Sequence, residues 1–278
     1  MPELPEVETV VRSLRPLLEG KRIKAVRVLR SSIIKSNPAL FLEQTPGRII
    51  LNIQRRGKYI LCRLSGRLYL VFHLGMSGRL YCTKPGTPPA KHTHLFITLA
   101  GNSLELHFED PRRFGRVVLL HSAELESYTG LQSLGPDPLE ISLNHFQKSL
   151  QSRKRGIKAL LLDQYFLAGM GNIYSDEALF RCSLHPKQLS HSLSMTQSRQ
   201  LFHAIRHILK KAIAAGGSSI RDYVDGLNRP GQFQLHYFVY GRTNEPCRKK
   251  GCKGIIHRIS AGGRSAHFCP VCQPFRRA

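Results

Sequence analysis

Acidic residues are scarce in this chain of 278 residues, which has 18 Asp and Glu against 42 Lys and Arg. The formal net charge of +24 and the pI near 10.3 favour a phosphate-rich partner, with nucleic acid preferred to an anionic membrane surface. No stretch approaches the roughly twenty uninterrupted apolar residues of a membrane span. No N-terminal signal peptide is visible either. We therefore expect a cytoplasmic protein that does not bind membranes.

The few acids are unevenly distributed. Four of the eighteen, Glu3, Glu6, Glu8 and Glu19, fall within the first twenty residues. Residues 241–278 have the opposite character, with nine Lys or Arg and a single acid, Glu245. The positive field is thus interrupted at the N-terminus, whereas the C-terminal segment is suited to lie on phosphates.

Hydrophobic periodicity divides the chain into a β-rich and a helical part. Apolar residues at spacings of three and four predict a helix over residues 5–18. Short alternating runs separated by Gly, Pro and Asn turns then predict an all-β sandwich or barrel. These runs are Ile23–Leu29, Arg48–Ile53, Tyr59–Leu64, Leu68–Leu74, His94–Leu99 and Leu104–Phe108.

Helical patterns dominate after the break at residues 130–138. A segment capped by Ser142 comes first, followed by Ile157–Leu162, Ile173–Phe180 and a long helix over about residues 196–215. Residues 217–232 form a long Gly, Ser, Arg and Asp loop, which is more often functional than idle. A final strand is predicted over Phe233–Tyr240. We expect an α+β multidomain chain with domains at 1–132, 133–240 and 241–278.

The cysteines cluster at the C-terminal end. Cys247-x4-Cys252 and Cys269-x2-Cys272 are two close pairs separated by sixteen residues, the length of a hairpin. Paired cysteines at this spacing are typical of one structural, tetrahedral Zn²⁺. The alternatives are two disulfides, or replacement of one sulfur ligand by His257 or His267. The other cysteines, Cys62, Cys82 and Cys182, stand alone in apolar runs and are expected to be buried and inert.

Pro2 directly follows the initiator methionine. The small proline ring would allow this methionine to be removed. The exposed secondary amine would be a nucleophile, because a free α-amino group has a pKa of about 7.7–8.0 and is partly unprotonated near neutral pH. Attack on an aldehyde-like carbon gives an iminium ion, the chemistry usually assigned to a desolvated Lys. A simpler interpretation is that Pro2-Glu3-Leu4-Pro5-Glu6 only starts a helix.

Six features in this order resemble the formamidopyrimidine-DNA glycosylases over essentially the whole length. They are Pro2-Glu3-Leu4-Pro5-Glu6, Gln54-Arg55-Arg56-Gly57-Lys58-Tyr59, His73-Leu74-Gly75-Met76-Ser77-Gly78, Asp110-Pro111-Arg112-Arg113-Phe114-Gly115, Gly169-Met170-Gly171-Asn172-Ile173-Tyr174 and the four-cysteine finger. The resemblance implies a leading helix on a β-sandwich, a helix-two-turn-helix domain with a lesion-recognition loop at 217–232, and a β-hairpin zinc finger. One departure is the four-residue gap of Cys247-x4-Cys252, where the family finger usually has two.

The resemblance also implies an activity, namely excision of oxidised purines such as 8-oxoguanine and formamidopyrimidines from duplex DNA, followed by β,δ-elimination. By this likeness Pro2 attacks C1′ of the sugar and Glu3 is the general acid and base. Lys58 contacts phosphate and assists β-elimination, and Arg264 serves δ-elimination. Glu6 is expected to support the helix start.

The resemblance further assigns residues that contact damaged duplex DNA. Met76, Arg112 and Phe114 are similar to the side chains that fill the gap left by an extruded nucleotide. By residue type alone, Met76 and Phe114 would be core residues. His92, Arg153 and Asn172 fall at positions where the family contacts DNA. We expect the protein to be a monomer, located in a bacterial-type cytoplasm.

Three other functions remain open on the sequence. The endonuclease VIII branch of the family, acting on oxidised pyrimidines, usually has Gly where Leu4 stands. A zinc-finger DNA-binding protein without catalysis would have no need of Pro2 and Glu3. A ribosome-associated basic protein would show no preference for damaged duplex DNA.

Overall fold

The computed structural model describes residues 1–101, 104–220 and 223–275. The chain forms two compact units. The first unit contains Met1–Gln132 together with Ile213–Gln234, and the second contains Ser133–Ala212 and Leu235–Ala278. The three-domain division at residues 132 and 240 groups the chain differently and stays a prediction.

The first unit begins with the predicted helix, α1, which spans Leu4–Leu18. Its apolar stripe, from Val7 through Val10, Val11 and Leu14 to Leu18, is completely buried. Pro5 lies in the first turn, where a missing backbone N–H has no cost to the helix. The helix is thus held by burial of one face, as its periodicity indicates.

Two antiparallel four-stranded sheets follow, with strand orders β1-β6-β7-β5 and β2-β3-β4-β8. The strands are β1 (Ile23–Val28), β2 (Ile50–Arg56), β3 (Tyr59–Leu64), β4 (Leu68–His73), β5 (Arg79–Thr83), β6 (Thr93–Leu99), β7 (Glu105–Glu109) and β8 (Arg116–His121). A short helix, α2 (Pro38–Gln44), lies between β1 and β2, and α3 (Thr129–Gln132) follows β8.

One hydrophobic core fills the space enclosed by α1 and both sheets. Phe72 on β4 and Phe108 on β7 belong to different sheets and meet edge to face, with ring centroids 5.9 Å apart. Two separate sheets that share a core form a sandwich, so the predicted β-sandwich is confirmed.

The second unit is helical, as predicted. Its helices are α4 (Leu143–Gln151), α5 (Ile157–Leu162), α6 (Asn172–Arg181) and α7 (Met195–Ala214), the last of which extends two residues into the first unit. Ser142 caps α4 by accepting a hydrogen bond from the backbone N–H of His145. Phe146 packs against Phe166 and Phe202 with centroid distances of 5.8 and 5.6 Å, which anchors α4 to the helical core.

The C-terminal segment forms the expected hairpin, in which β9 (His257–Ala261) pairs antiparallel with β10 (Arg264–Phe268). Gly262 and Gly263 connect the strands, and both have positive φ values of 63° and 71°. Two left-handed residues in succession are typical of the tight hairpin turn that glycine favours. Arg264 is therefore at the tip of the hairpin.

The strand predicted over Phe233–Tyr240 is wrong. Phe233–His236 form a short 3₁₀ helix, and the following backbone turns around the carboxylate of Glu177. Glu177 accepts hydrogen bonds from the backbone N–H groups of Phe238, Val239 and Tyr240 at 2.9–3.1 Å. Because one side chain takes three successive N–H groups, they cannot form the ladder that a strand requires.

Candidate functional site

The N-terminal dipeptide is fixed by the start of α1. Pro2 is buried, and Glu3 is the extended residue that precedes the helix. The backbone N–H of Glu3 donates to Oε2 of Glu6 at 2.8 Å, while the Glu3 carbonyl accepts the N–H of Val7 at 3.1 Å. Glu6 thus supports the helix start, as predicted. The site of the expected nucleophile is held rigidly and not left as a loose terminus.

Glu6 also binds the long loop at residues 217–232. Its Oε1 accepts the backbone N–H of Ser218 at 2.9 Å, and the Tyr223 hydroxyl donates to its carbonyl at 3.2 Å. Gly217 has a φ of +79°, and an added Cβ would lie 3.2 Å from the Glu6 side chain. The predicted lesion-recognition loop therefore contacts the residues behind Pro2. Its residues 221 and 222 lie outside the described part of the chain.

The electrostatics at the N-terminus favour a free amine. In the full chain the α-amino group belongs to Met1, and its pKa is lowered from the ordinary value. Burial is the largest cause, because desolvation disfavours the charged form. Glu3 and Glu6 raise this pKa, whereas Lys58 and Arg112 lower it further. Three of the predicted site residues are thus within electrostatic reach of the terminal amine.

Lys58 lies at the turn between β2 and β3, where Gly57 has a φ of 57°. Although Lys58 is a lysine, only 8% of its surface is exposed. A sequence pattern of basic residues indicates a solvated strand end, whereas the structure buries this ammonium beside the N-terminus.

His73, the first residue of the motif His73–Gly78, lies within electrostatic reach of Lys58. Burial, with Arg116 and Lys58 nearby, lowers the pKa of His73 to about 4. Its neutral ring accepts the backbone N–H of Gly75 through Nδ1 at 3.2 Å and lies 4.8 Å from the Tyr59 ring. His73 therefore remains uncharged at neutral pH and shapes the turn that carries Met76.

The loop after β7 is organised by one buried carboxylate. Asp110 is fully buried and accepts the Ser77 hydroxyl at 2.6 Å and the backbone N–H groups of Gly115 and Arg112 at 2.6 and 3.2 Å. With its backbone bound inward, the loop directs its side chains outward. Phe114 is 56% exposed, and the Arg112 guanidinium lies 5.2 Å from the Phe114 ring centroid.

The Met76 turn packs directly against this loop. A Cβ added to Gly75 would lie 2.5 Å from the Phe114 backbone, so only glycine allows the two segments to approach this closely. Met76 is 41% exposed. The structure therefore brings Met76, Arg112 and Phe114 together on one surface, and the core assignment suggested by residue type is wrong for Met76 and Phe114.

His92 lies beside a separate basic cavity of the first unit, with a volume of about 430 Å³. Arg30, Lys91 and Arg113 also line it. The His92 carbonyl accepts the backbone N–H of Asp110 at 3.0 Å, which connects this cavity to the loop of Arg112. Arg113 belongs both to the lining of this cavity and to that loop.

In the second unit, Asn172 is the first residue of α6 and is half-buried. Within the described residues, its Oδ1 has no hydrogen-bond partner. Gly169, with a φ of 93°, and Gly171 precede it, and the positive end of the α6 dipole at this helix start attracts anions. Arg153 and Arg264 are exposed, as expected of residues that contact a ligand.

A buried ionic network supports the hairpin of Arg264, and sequence reasoning did not find it. Lys158 on α5 and Asp176 on α6 are both fully buried and form an ion pair. Lys158 also donates to the Ser265 carbonyl at 2.8 Å, and Asp176 accepts the backbone and ring N–H of His267 at 2.9 and 3.1 Å. The strand that carries Arg264 is therefore bound to both helices.

The four C-terminal cysteines form the predicted metal site. Their sulfur atoms all lie within 4.8 Å of one another. The separations Cys247–Cys272, Cys252–Cys269 and Cys252–Cys272 are 3.8, 3.7 and 3.4 Å. A tetrahedron with Zn–S bonds of about 2.3 Å has edges of about 3.8 Å, so the donor set fits one structural Zn²⁺.

The unusual four-residue gap does not disturb these ligands. A turn closed by a 3.0 Å hydrogen bond from Cys252 N–H to the Lys249 carbonyl takes up the extra length, with Gly251 at a φ of +79°. His267 is bound to Asp176 and is not part of the cysteine cluster. Among the isolated cysteines, Cys62 and Cys82 are buried as expected, whereas Cys182 is only half-buried.

Among the described residues, no helix is long and apolar enough to cross a membrane.

Comparison with known proteins gives full-length matches. Residues 1–117 match the formamidopyrimidine-DNA glycosylase N-terminal domain, residues 134–224 the H2TH domain of the same enzymes, and residues 244–274 a zinc finger found in FPG and IleRS. Formamidopyrimidine-DNA glycosylases of Solibacter usitatus and Heliobacterium modesticaldum are each 46% identical, with 98% of this chain and 99% and 100% of the relative covered.

Solved structures agree with these matches. A Lactococcus lactis FPG mutant in complex with DNA containing Fapy-dG has a TM-score of 0.91 and 35% identity, with 99% of this chain and 100% of that chain covered. The Lactococcus lactis Fpg bound to DNA with an abasic site has a TM-score of 0.90 and 34% identity, with 98% and 100% covered.

Proposed function

The chain belongs to the formamidopyrimidine-DNA glycosylase family, and from this membership we propose how its own residues carry out the reaction. It is a DNA repair enzyme that excises oxidised purines from duplex DNA and has lyase activity at the resulting abasic site. The observation that carries the residue assignment is the buried Pro2 beside Glu3, with Lys58 and Arg112 in electrostatic reach of the α-amino group of Met1, the residue directly before Pro2.

Pro2 is the nucleophile once Met1 is removed. Its neutral amine attacks C1′ and forms the N–C bond as the bond to the damaged base breaks, and the proton lost from the Pro2 nitrogen neutralises the departing base. Glu3 then protonates the ring oxygen, so that the bond between this oxygen and C1′ breaks and an iminium ion forms between the nitrogen and C1′. The positive charge of the iminium acidifies C2′, so loss of a proton there expels the 3′ phosphate in β-elimination.

Lys58 and Arg264 act on the phosphates of the cleaved strand. The buried ammonium of Lys58 stabilises the negative charge that develops on the departing 3′ phosphate. Arg264 serves the second, δ-elimination, which releases the 5′ phosphate. The network of Lys158, Asp176 and His267 supports this role because it fixes the strand that begins with Arg264.

Met76, Arg112 and Phe114 fill the gap left by the extruded nucleotide. Their exposure and their common surface support this role. Phe114 separates the neighbouring bases, Arg112 hydrogen-bonds the orphaned partner base and Met76 adapts to the remaining space. His92, Arg153 and Asn172 hold the strand through its phosphates.

The zinc ion is structural. Cys247, Cys252, Cys269 and Cys272 hold it, and its bonds supply the folding free energy that this small module cannot obtain from a core. We assign the three domains to residues 1–132, 133–240 and 241–278. The enzyme acts as a monomer in the cytoplasm, on the DNA of a bacterial-type nucleoid.

Excision from defined duplexes tests the role of the N-terminus. The mature protein is expected to release 8-oxoguanine and formamidopyrimidine and to leave both products of elimination. Pro2→Gly and a form that retains Met1 are expected to lose most of this activity. Pro5→Ala, which changes the neighbouring proline of the same buried helix start, is the matched control and keeps it. Full activity of protein with an intact Met1 would refute the assignment.

A further inference from the structure

Helix α7 has a cationic face that the proposed reaction does not use. Its buried face carries Leu201, Ile205 and Leu209, whereas Arg199, His203, His207 and Lys210 are exposed. These four residues are three or four positions apart, so they lie along one side of the helix. The twenty residues of α7 include no Asp or Glu.

The end of α6 completes this surface. Arg181, Ser183 and the exposed side of α7 line a cavity of about 880 Å³, to which Arg206 also contributes. Arg206 is oriented by the Ile141 carbonyl at 3.3 Å and by the Phe202 ring at 5.2 Å, and neither partner carries a negative charge. We call the four cations Arg181, Arg199, Arg206 and Lys210 the α7 cation stripe, and His203 and His207 lie between them.

The charge of the α7 cation stripe is not compensated by acids. Within the described residues, no carboxylate forms an ion pair with Arg181, Arg199 or Lys210. The pKa of His207 is lowered by burial first and then by Arg181 and Lys211. The influence of Arg181 at His207 indicates that the two helices contribute to one positive field.

The dimensions of the stripe suit a phosphate chain. Arg199 and Lys210 are eleven residues apart, which corresponds to about 16 Å along the helix axis at 1.5 Å per residue. One DNA strand presents a phosphate about every 3.4 Å along its axis, so the stripe spans about five phosphates. A single phosphate ion or a nucleotide would contact only part of a surface of this length.

The stripe is also distinct from the DNA contact proposed at Asn172. Asn172 begins α6 and Arg181 ends it, so the two positions are about 14 Å apart along the helix. The Asn172 end is the positive end of the α6 dipole, whereas the attraction at the other end comes from side-chain cations alone.

We propose that the α7 cation stripe binds the phosphodiester backbone of a second DNA segment, separate from the segment that carries the lesion. This inference rests on the proposed function, since it takes the lesion-bearing DNA to be bound elsewhere on the enzyme. Binding to a second segment would be independent of sequence and would keep the enzyme near DNA when it leaves one segment for another.

The experiment fills the lesion site first. The protein is trapped with borohydride on a short duplex containing 8-oxoguanine, and the purified covalent complex is titrated with a labelled, undamaged duplex. The test variant is Arg181→Gln/Arg199→Gln/Lys210→Gln. The control is Lys21→Gln/Lys35→Gln/Arg63→Gln, which removes the same charge from exposed positions of the first unit.

We expect the trapped parent and the control to bind the second duplex, and the test variant to bind it at least tenfold more weakly. The slope of log affinity against log salt concentration should become shallower by about 3, one unit per lost cation. Trapping itself should be equal in all three proteins. Failure to trap would refute the proposed function, which is a separate outcome.

Three results would overturn the inference while trapping succeeds. The trapped parent could fail to bind the second duplex, or the test variant could bind it as tightly as the control does. Inorganic triphosphate could also compete at concentrations similar to those of the duplex, counted per phosphate. That result would identify the stripe as a site for small polyphosphates and not for DNA.

Discussion

Removing one partner of the buried pair Lys158–Asp176 should destabilise the second unit strongly. Both side chains are fully buried, so a single replacement leaves a charge without its counter-ion and away from water. Breaking such a pair typically costs about 3–5 kcal/mol of unfolding free energy. We therefore expect severe effects from Asp176→Leu and from Lys158→Met.

Each single variant leaves the surviving charge with part of its contacts. In Lys158→Met, the Asp176 carboxylate still accepts two hydrogen bonds from His267. In Asp176→Leu, the Lys158 ammonium still donates to the Ser265 carbonyl. We expect a loss of about 3–5 kcal/mol for each variant, the range for broken buried pairs.

The double variant Lys158→Met/Asp176→Leu separates the ion pair from simple packing. Without either charge, its loss should be at least about 2 kcal/mol smaller than the sum of the two single losses. Urea unfolding followed by far-UV circular dichroism measures all three. The control is Arg155→Gln, which breaks the ion pair between Arg155 and Asp163. Because the Arg155 side chain is 50% exposed, this variant should lose less than about 1 kcal/mol of unfolding free energy. Strictly additive single losses, or losses as small as that of the control, would refute the reasoning.

Three further predictions concern pH, DNA and metal. The pKa of His73 is about 4 in the folded protein, so the protein keeps this ring neutral. The contribution of the neutral ring to the free energy of unfolding is therefore fully present above pH 6.5 and decreases as the pH falls toward 4. The resulting loss of unfolding free energy between pH 7 and pH 5 is about 2 kcal/mol. Urea unfolding at the two pH values should show this loss in the parent protein but not in His73→Asn. An equal loss in both proteins would contradict the prediction. Phe114→Ala and Arg112→Ala should excise 8-oxoguanine poorly yet still form a trapped adduct on a preformed abasic site. Their thermal stability should be unchanged because both side chains are exposed. Parental rates on both substrates would exclude insertion of these side chains into the duplex. Cys269→Ser should lose zinc in metal analysis and bind DNA weakly while the sandwich stays folded, and tight DNA binding without zinc would count against a structural finger.

The sequence predicts those parts of the fold that depend on local patterns. The stripe of α1 and the bounds of β3 and α5 follow from periodicity and turn residues. Strands β5 and β8 are absent from the predicted set. Each of these two strands comes directly after a glycine-containing motif, so the first residue of its short apolar run is not marked in the sequence.

Contacts between distant residues explain what the sequence could not predict. Residues Phe238–Tyr240 belong to a strand-like run, but their N–H groups are taken by Glu177, about sixty positions earlier. The Lys158–Ser265 bond spans 107 positions and leaves no local signal. The family resemblance places Met76 and Phe114 among the side chains that fill the gap in the duplex, whereas hydrophobicity alone predicts that they are buried.

The most direct test of the account is to locate the covalent adduct. Protein trapped with borohydride on an abasic or 8-oxoguanine duplex is digested, and the DNA-modified peptide is sequenced by mass spectrometry. We predict that the sugar is attached to the α-nitrogen of Pro2 in the peptide that begins Pro2-Glu3-Leu4, with Met1 absent. Attachment to a lysine side chain, whether Lys58 or another, would contradict it.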